Sequence, residues 1–274
     1  MAIKPPNSRR NLDIAITRVS QGKTDPQRVR LLMANAIVGQ MLPSGAVKGG
    51  SALKMRFGDS ATRFTRDLDT ARGEDLESFV IKLQYALTSG WEGFTGVLVR
   101  KPPAMPKGVP AEYVMQPFEV KLSFNGKSWL TVPLEVGFDE IGDADEPELF
   151  IPGYLTEIFS EIGLPTPGPI PLMPLHHQVA QKLHGLTEPG SMRVHDLIDL
   201  QVMESLGKID LPKTKSTCRR LFAYRNKHVW PPELPATERW RESYAEQAKG
   251  LGVRPDIDSA AEWLQKLIAR IEES

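Results

Sequence analysis

The amino-acid sequence predicts an α+β protein in which a sheet flanked by helices is followed by a C-terminal helical domain. Apolar residues recur at helical spacing near both ends of the chain, and two segments around Asn125-Gly126 alternate apolar and polar residues. Prolines crowd residues 165–174, and such a connector is semi-rigid and typical of a domain boundary. The chain is therefore expected to divide into residues 1–172 and residues 173–274.

The composition favours an ordinary globular protein. The chain has 274 residues, of which 25% are charged and 41% hydrophobic, enough for one large core or two smaller ones. No apolar run approaches the roughly 18 residues of a membrane span, and the first residues lack the apolar core of a signal peptide. The single cysteine, Cys218, excludes an intramolecular disulfide and a cysteine-based zinc site. We expect a cytoplasmic protein with no membrane partner.

The formal net charge of zero hides a polarised chain. Residues 128–181 contain nine acidic residues and no lysine or arginine, whereas residues 213–232 contain six basic residues and no acid. Charge blocks of this kind are usually solvated faces. They can also separate a metal-binding side from a nucleic-acid-binding side.

Hydrophobic periodicity and turn residues predict the order of the elements. The first part has two helices within 7–42, a strand at 46–47 with a helix to about 57, a strand at about 66–71 and a helix to 87. A strand at 97–99 and paired strands at 118–124 and 130–136 follow, and then an acidic loop with a short element at 154–162. The C-terminal part is helical, and its last two helices span about 236–249 and 256–272.

A glycine-rich junction lies at Lys48-Gly49-Gly50-Ser51, after a short apolar segment and before a helix-like run. Glycines at a strand-to-helix junction let backbone N–H groups approach an anion closely, and the start of a helix adds favourable partial charge. The pattern is typical of a phosphate-binding turn. A Gly-Gly pair alone is more often a plain turn, so the junction does not decide the function by itself.

Two carboxylates follow at Asp67-Leu68-Asp69. In a strand, residues two apart share a face, so both carboxylates would point the same way while Leu68 faces the core. Carboxylates that close repel each other unless a cation lies between them, and Mg²⁺ prefers carboxylate and phosphate oxygens. An isolated Asp-x-Asp is usually solvated surface. The position of Asp67-Leu68-Asp69 after the glycine junction indicates metal-assisted chemistry on a nucleoside triphosphate.

Together the two motifs resemble a known family. Lys48-Gly49-Gly50-Ser51-Ala52-Leu53, followed by Arg63-Phe64-Thr65-Arg66-Asp67-Leu68-Asp69, is similar to the signature of the AbiEii/AbiGii toxins. That family belongs to the DNA polymerase β-like nucleotidyltransferases and includes the MenT-type toxins of type IV-like toxin–antitoxin systems. Thr65 replaces the usual serine and keeps the hydroxyl. The resemblance implies a nucleotidyltransferase-type mixed sheet, Mg²⁺ or Mn²⁺ at the two aspartates, and nucleotide binding by Lys48, Gly49, Gly50, Ser51 and Thr65.

A third carboxylate is expected on the strand at 130–136. Leu134 and Val136 face the core there, and Glu135 faces the other way. A two-metal site recruits its third ligand from such a position, so Glu135 is the candidate, although the family more often has aspartate. Glu119 and Asp139 are alternatives, and Glu135 as an ordinary surface residue also stays open.

A second signature follows the proline-rich connector. Ala180-Gln181-Lys182-Leu183, with the later segment Arg193–Leu200, resembles the family's second motif. The resemblance implies that Lys182 contacts the triphosphate, that Arg193 helps to bind the nucleotide and that Asp196 assists the reaction, so that the helical domain completes the active site. His195 stands where a basic residue is usual. Taken without the first motif, Lys182 would be an edge lysine and Asp196 a capping or ion-pairing acid.

A basic segment follows residue 212. Arg219, Arg220, Arg225 and Lys227 are interleaved with aromatic residues, which could neutralise phosphates and stack an unpaired base. An amphipathic helix with a basic face explains the pattern equally well.

The sequence therefore predicts a metal-dependent nucleotidyltransferase. The resemblance implies transfer of a nucleoside monophosphate to RNA, with the 3′ end of tRNA as acceptor, CTP as donor, and an AbiEi-type antitoxin as a possible partner. Two alternatives remain at this point. One is nucleotidylation or phosphorylation of a protein hydroxyl group, and the other is a non-catalytic module that binds a nucleotide or an antitoxin.

Overall fold

The computed structural model describes residues 4–104, 114–234 and 238–274, which divide into two compact units. The first unit comprises Met1–Arg56, Thr65–Asp139 and Ala144–Leu172. The second comprises Phe57–Phe64, Glu140–Asp143 and Met173–Ser274. No local sequence pattern indicates that the two short segments join the second unit. They do so because Arg63 and Asp143 form ion pairs with helices of that unit.

The first unit contains one mixed sheet. Its strands are β1 (Ala46–Lys48), β2 (Leu68–Arg72), β3 (Phe94–Arg100), β4 (Gln116–Phe124), β5 (Lys127–Phe138), β6 (Glu148–Phe150) and β7 (Ile170–Leu172). Their order across the sheet is β3-β4-β5-β2-β1-β7-β6. Strands β2 and β5 are parallel, as are β1 and β7, and the other neighbours are antiparallel. The expected mixed sheet flanked by helices is confirmed.

The alternation around Asn125-Gly126 forms the predicted hairpin of β4 and β5. Val132, Leu134 and Val136 are buried, whereas Glu135 is only half-buried on the opposite face. Asn125 and Gly126 both have positive φ, as the commonest two-residue hairpin turn requires.

Strands β6 and β7 were missed from the sequence, where they lie within the predicted acidic loop and proline-rich connector. Each has three residues, which is too short to display an alternation of period two. Pro171 lies inside β7, and a proline argues against an interior strand.

In the described part of the first unit the α-helices are α1 (Arg9–Ser20), α2 (Pro26–Gln40), α3 (Gly49–Phe57), α4 (Leu76–Ser89) and α5 (Gly153–Ile162). Asp25 and Asp75 accept hydrogen bonds from first-turn N–H groups of α2 and α4, so an aspartate caps the start of each helix. Leu12, Ile37 and Leu134 belong to one buried cluster that joins the helices to the sheet.

The second unit contains α6 (Leu175–Thr187), α7 (Val194–Leu206), α8 (Leu211–Arg225), α9 (Arg241–Gln247) and α10 (Ile257–Glu273). The apolar stripe predicted on α6 is buried, from Leu175 to Leu186. The helix predicted at 236–249 is observed as α9 after a short 3₁₀ turn, and residues 235–237 lie outside the described part. Among the described residues, none of the helices is long and apolar enough to cross a membrane.

Gly45 provides a test of the packing between the turn after α2 and the sheet. Its φ is +79°, and a Cβ atom there would lie 1.9 Å from the carbonyl oxygen of Ala71. Gly45→Ala should lower the free energy of unfolding by about 3 kcal/mol or more, because a left-handed conformation and a backbone collision both add cost. Urea unfolding measures the change.

Gly22→Ala is the matched control for Gly45→Ala. Gly22 has φ +72° but no atom within 4 Å of the added Cβ. Only the conformational cost of about 1 kcal/mol applies at this position. Equal losses in both variants would show that the contact with Ala71 has no effect on stability.

Candidate active site

The glycine junction brings the backbone into direct contact with a carboxylate. Strand β1 ends at Lys48 and α3 begins at Gly49, which has φ +63°. A Cβ atom at Gly49 would lie 2.1 Å from Oδ2 of Asp69, so only glycine leaves room for that carboxylate. The first-turn N–H groups of a helix have no partner inside the helix. The carboxylate of Asp69 therefore lies beside the start of α3.

Strand pairing places Asp69 next to Glu135. The parallel register of β2 and β5 pairs Asp69 with Glu135, and the antiparallel register of β1 and β2 pairs Lys48 with Asp69. Directly opposite residues on neighbouring strands have Cβ atoms about 4.5–5.5 Å apart. Three charged side chains that are far apart in the sequence are thus adjacent in the sheet.

Asp67 is expected to share a strand with Asp69, but β2 begins only at Leu68. Asp67 is exposed and precedes the strand. It still acts electrostatically on Glu135: burial raises the pKa of the Glu135 carboxyl, the negative charge of Asp67 raises it further, and Lys48 opposes both. Asp67 and Glu135 therefore interact electrostatically, although the regular alternation of the predicted strand holds only from Leu68 onward.

The Lys48 side chain of β1 reaches across β2 toward β5. Its Nζ lies 2.8 Å from the position that a Cβ atom of Gly137 would occupy, two residues beyond Glu135. A larger residue at 137 would displace the lysine. The absence of a side chain at Gly137 therefore leaves space for the ammonium group of Lys48, which acts on Glu135.

Ser51 and Thr65 make different contacts near the start of α3. The Ser51 hydroxyl donates to the carbonyl oxygen of Asp67 at 2.5 Å and lies 3.4 Å from Nδ2 of Asn35. Ser51 thereby holds the segment that carries Asp67, and an anion would contact its backbone N–H group. Thr65 packs close to Gly50, where an added Cβ would lie 3.2 Å from the Cβ of Thr65.

The two alternative third carboxylates have other partners. Glu119 forms an ion pair with Lys101 at 2.9 Å and lies opposite Pro133 in the register. Asp139 is buried and accepts a hydrogen bond from the N–H group of Ala144 at 2.6 Å. The register that pairs Glu135 with Asp69 favours Glu135 over both.

The chemistry of these oxygen donors fits a hard divalent cation. Three carboxylates near the sheet, with Glu135 destabilised as an anion by Asp67, are the ligands that Mg²⁺ or Mn²⁺ accepts. Within the described part of the chain, no three Asp, Glu, His or Cys side chains are already arranged around a common metal position.

A second charged cluster lies between α6 and α7. Nζ of Lys182 donates to Oδ1 of Asp196 at 2.8 Å and to Oδ2 of Asp199 at 2.6 Å. Nε of Arg193 donates to Oδ2 of Asp196 at 2.6 Å. All three hydrogen bonds end on carboxylates of residues that are at most 2% exposed. Lys182 is itself 6% exposed, so the interpretation as a surface edge lysine is wrong.

Arg63 is the member of this cluster that the sequence did not single out. Its Nε donates to both oxygens of Asp199 at 3.1 and 3.2 Å. Asp199 follows Asp196 at a spacing of three on α7 and forms ion pairs with both Arg63 and Lys182. The only available signal was that Arg63 opens the first family signature.

The cluster has a surplus of positive charge. Lys182, Arg63 and Arg193 share two carboxylates. Burial alone would raise the pKa of Asp196, but Lys182 and Arg193 outweigh it and lower that pKa to about 2. Burial likewise opposes the charge of Lys182, yet Asp196 and Asp199 outweigh it and raise the pKa of the amine. Both partners are therefore ionised at neutral pH.

The basic segment forms α8 and the loop after it, and most of its arginines have acidic partners. Arg219 pairs with Glu272 at 2.6 Å, Arg220 with Asp143 at 2.8 Å, and Arg225 with Glu140 at 2.6 Å. Lys227 is exposed. In the part of the chain that the structure describes, Lys227 has no ion pair.

The predicted site residues therefore form two groups. Lys48, Gly49, Gly50, Ser51, Thr65, Asp67, Asp69 and Glu135 lie in the first unit, and Lys182, Arg193 and Asp196 lie in the second. The first group surrounds the start of α3, and the second surrounds one buried lysine.

Comparisons with known proteins identify relatives of the whole chain. The family model described as "Nucleotidyl transferase AbiEii toxin, Type IV TA system" matches residues 30–266. Among solved structures, the chain resembles MenT4, a nucleotidyltransferase toxin from Mycobacterium tuberculosis H37Rv, with a TM-score of 0.59, 16% identity and coverage of 96% of this chain and 90% of that one. This likeness shows the fold. No curated protein matches the sequence.

Two structures from Helicobacter pylori have lower scores. JHP933 has a TM-score of 0.46 and 14% identity, over 90% of this chain and 91% of that one. A putative nucleotidyltransferase has a TM-score of 0.48 and 15% identity, over 90% and 94% of the two chains.

Lys182→Ala should destabilise the protein strongly. The substitution leaves Asp196 and Asp199 buried without the ammonium group that both accept from, and breaking a buried ion pair costs about 3–5 kcal/mol. Urea unfolding measures the loss. Lys249→Ala removes an exposed lysine of the same unit and should change stability by less than about 0.5 kcal/mol. A small loss for Lys182→Ala would contradict the ion-pair network.

His184 predicts a pH dependence of stability. Arg225 can only donate, so Nδ1 of His184, 3.3 Å from Nη1, is an acceptor and the ring is neutral. Burial and the charges of Arg225 and His228 lower the pKa of His184 from 6.5 to about 3. The unfolded chain therefore binds a proton below pH 6.5 that the folded chain does not, and stability falls as the pH decreases.

His184→Gln should make this pH dependence shallower. Melting temperatures measured between neutral pH and pH 5 isolate the effect, because Asp143 and Asp196 titrate below their ordinary value of 3.8. His195 and His228 also have lowered pKa values, so part of the pH dependence should remain in the His184→Gln variant. An unchanged slope in the variant would show that His184 binds its proton equally well in the folded protein.

Proposed function

Because the chain belongs to the AbiEii family of nucleotidyltransferase toxins of type IV toxin–antitoxin systems, we propose that it transfers a nucleoside monophosphate to a hydroxyl group of RNA, first of all at the 3′ end of tRNA. The observation that carries this proposal is the pairing of Asp69 with Glu135 beside the start of α3. This pairing supports the proposal, because carboxylates able to bind a metal would lie next to backbone N–H groups suited to phosphate.

The proposed metal ligands are Asp67, Asp69 and Glu135. Mg²⁺ or Mn²⁺, when bound, would neutralise triphosphate charge and favour ionisation of the acceptor hydroxyl. Glycine at 49 gives the Asp69 carboxylate its space, and the Ser51 hydroxyl fixes the carbonyl of Asp67. These contacts limit where two of the three carboxylates can lie.

The proposed nucleotide-binding residues supply N–H groups, a hydroxyl and cations. The backbone of Gly49, Gly50 and Ser51 would face phosphate oxygens, as the first turn of a helix allows. Thr65 packs against Gly50 and would offer its hydroxyl. Lys48, Lys182 and Arg193 would neutralise the negative charge of the triphosphate. The surplus positive charge around Lys182 supports this role for Lys182 and Arg193.

In the proposed reaction, the acceptor hydroxyl oxygen forms a bond to the α-phosphorus of the nucleoside triphosphate. The bond between the α-phosphorus and the oxygen that bridges it to the β-phosphorus breaks. Pyrophosphate leaves and keeps that bridging oxygen. The proton of the hydroxyl passes to water. The protein contributes alignment of the reacting groups and compensation of negative charge.

This activity would act in the cytoplasm, where triphosphates and tRNA are present. A nucleotide added to the 3′ end of tRNA prevents aminoacylation, so growth would stop. CTP is the proposed donor, and an AbiEi-type antitoxin is the proposed partner that counteracts the toxin.

Asp69→Asn should abolish transfer. Purified protein incubated with Mg²⁺, total RNA and each labelled nucleoside triphosphate in turn should label a small RNA. The variant should label it more than about 100-fold less, because even outer-shell partners of metal ligands are worth 10–100-fold. Glu157→Gln, which neutralises an exposed carboxylate on α5 of the same unit, is the control and should retain activity.

Digestion of the labelled product separates the alternatives. Label that ribonuclease removes and protease does not supports an RNA acceptor, whereas the reverse indicates a protein hydroxyl. Persistent labelling in Asp69→Asn would exclude the metal-binding role of that residue. Nucleotide binding without any transfer would indicate a binding module.

A further inference from the structure

A cavity outside the proposed catalytic residues lies at the C-terminal end of α8. Its volume is about 470 Å³, within the roughly 300–1,000 Å³ typical of sites for small organic molecules. Its walls come from one continuous part of the second unit and combine aromatic, cationic and amide side chains. They are Arg219, Phe222, Ala223, Asn226, Lys227, His228, Val229 and Trp230.

The aromatic walls are held in fixed orientations. The indole N–H of Trp230 donates to Oε2 of Glu272 at 2.7 Å. The Phe222 ring packs edge to face with those of Trp230, at 5.3 Å, and His228, at 4.8 Å. Rings that are already ordered lose little conformational freedom when a ligand binds.

The His228 ring is also held in one tautomer. The Thr187 hydroxyl donates to the carbonyl oxygen of Leu183 at 2.7 Å. The same hydroxyl oxygen lies 2.8 Å from Nε2 of His228, so it accepts the N–H of that nitrogen. Burial lowers the pKa of His228, which keeps the ring neutral. A neutral, fixed ring offers an apolar face to a planar ligand.

The charge of the lining residues favours an anion. None of the eight lining residues is acidic, and two are cationic. Arg219 shares its charge with Glu272, but its side chain is 58% exposed. Lys227 is exposed and has no ion pair among the described residues. A ligand that is both planar and anionic matches the rings and the cations together.

We propose that this cavity binds an unpaired nucleotide of the acceptor RNA, with its base stacked against Trp230 and the flanking phosphates contacted by Lys227 and Arg219. The inference rests on the proposed function for the class of ligand. Base–aromatic stacking accepts any base, so the site would position single-stranded RNA without reading its sequence. Arg220 and Arg225 lie outside the cavity lining and hold residues 140–143 instead.

Binding of RNA can be measured without transfer. In the absence of nucleoside triphosphate, fluorescence anisotropy is recorded with a short single-stranded RNA and with an abasic strand of equal length. Trp230→Ala should weaken binding of the RNA about 10-fold, since stacking on an aromatic ring is worth about 1–3 kcal/mol per base. It should leave the abasic strand unaffected, and Trp230→Phe should retain most of the affinity.

The exposed Lys227 gives a second measurement that does not depend on core packing. Lys227→Ala should reduce the salt dependence of binding by about one phosphate contact, for the RNA and the abasic strand alike. Lys249→Ala removes an exposed lysine of the same unit that does not line the cavity. It should leave the salt dependence of binding unchanged for both strands.

The outcomes separate this inference from the proposed function. If Asp69→Asn abolishes transfer to RNA while Trp230→Ala and Lys227→Ala bind RNA as the wild type does, the cavity proposal is wrong and the enzyme proposal stands. If the wild type transfers nothing to RNA but shows the expected binding differences, the cavity proposal stands alone. Equal weakening of RNA and abasic strand by Trp230→Ala would overturn the stacking role.

Discussion

The arrangement of the candidate site depends on the close approach of the Asp69 carboxylate to the backbone at Gly49. A side chain at residue 49 would collide with Oδ2 of Asp69, and the positive φ of Gly49 turns the chain directly from β1 into α3. One contact thus fixes a carboxylate beside the start of a helix. The parallel pairing of β2 with β5 then determines that Glu135 is the neighbour of that carboxylate.

Much of this arrangement could be predicted, because it follows from local patterns. The alternation around Asn125-Gly126 predicted the hairpin and the outward position of Glu135. Strands β6 and β7 could not be predicted, since three residues show no period and Pro171 argues against a strand. Asp67 was placed inside a strand because alternation cannot locate the residue at which pairing begins.

The contacts that are distant in sequence were beyond prediction. The spacing on α7 indicated that Asp196 and Asp199 share a face, but no local pattern shows that Arg63, 136 residues from Asp199, binds it. The basic segment is a similar case. Its composition suggests a free cationic surface, whereas Arg220 and Arg225 are engaged by Asp143 and Glu140. Composition shows which charges are present, and only the fold shows which charges neutralise each other.

The two groups of candidate residues are unbalanced in opposite directions. Around β2 and β5, the negative charge of Asp67 adds to burial in raising the pKa of Glu135, and Lys48 is the opposing cation. Around Lys182, three cations share two buried carboxylates. A folded protein that holds such imbalances loses stability unless a ligand compensates them. The charge around β2 and β5 is therefore suited to a cation, and the charge around Lys182 is suited to an anion.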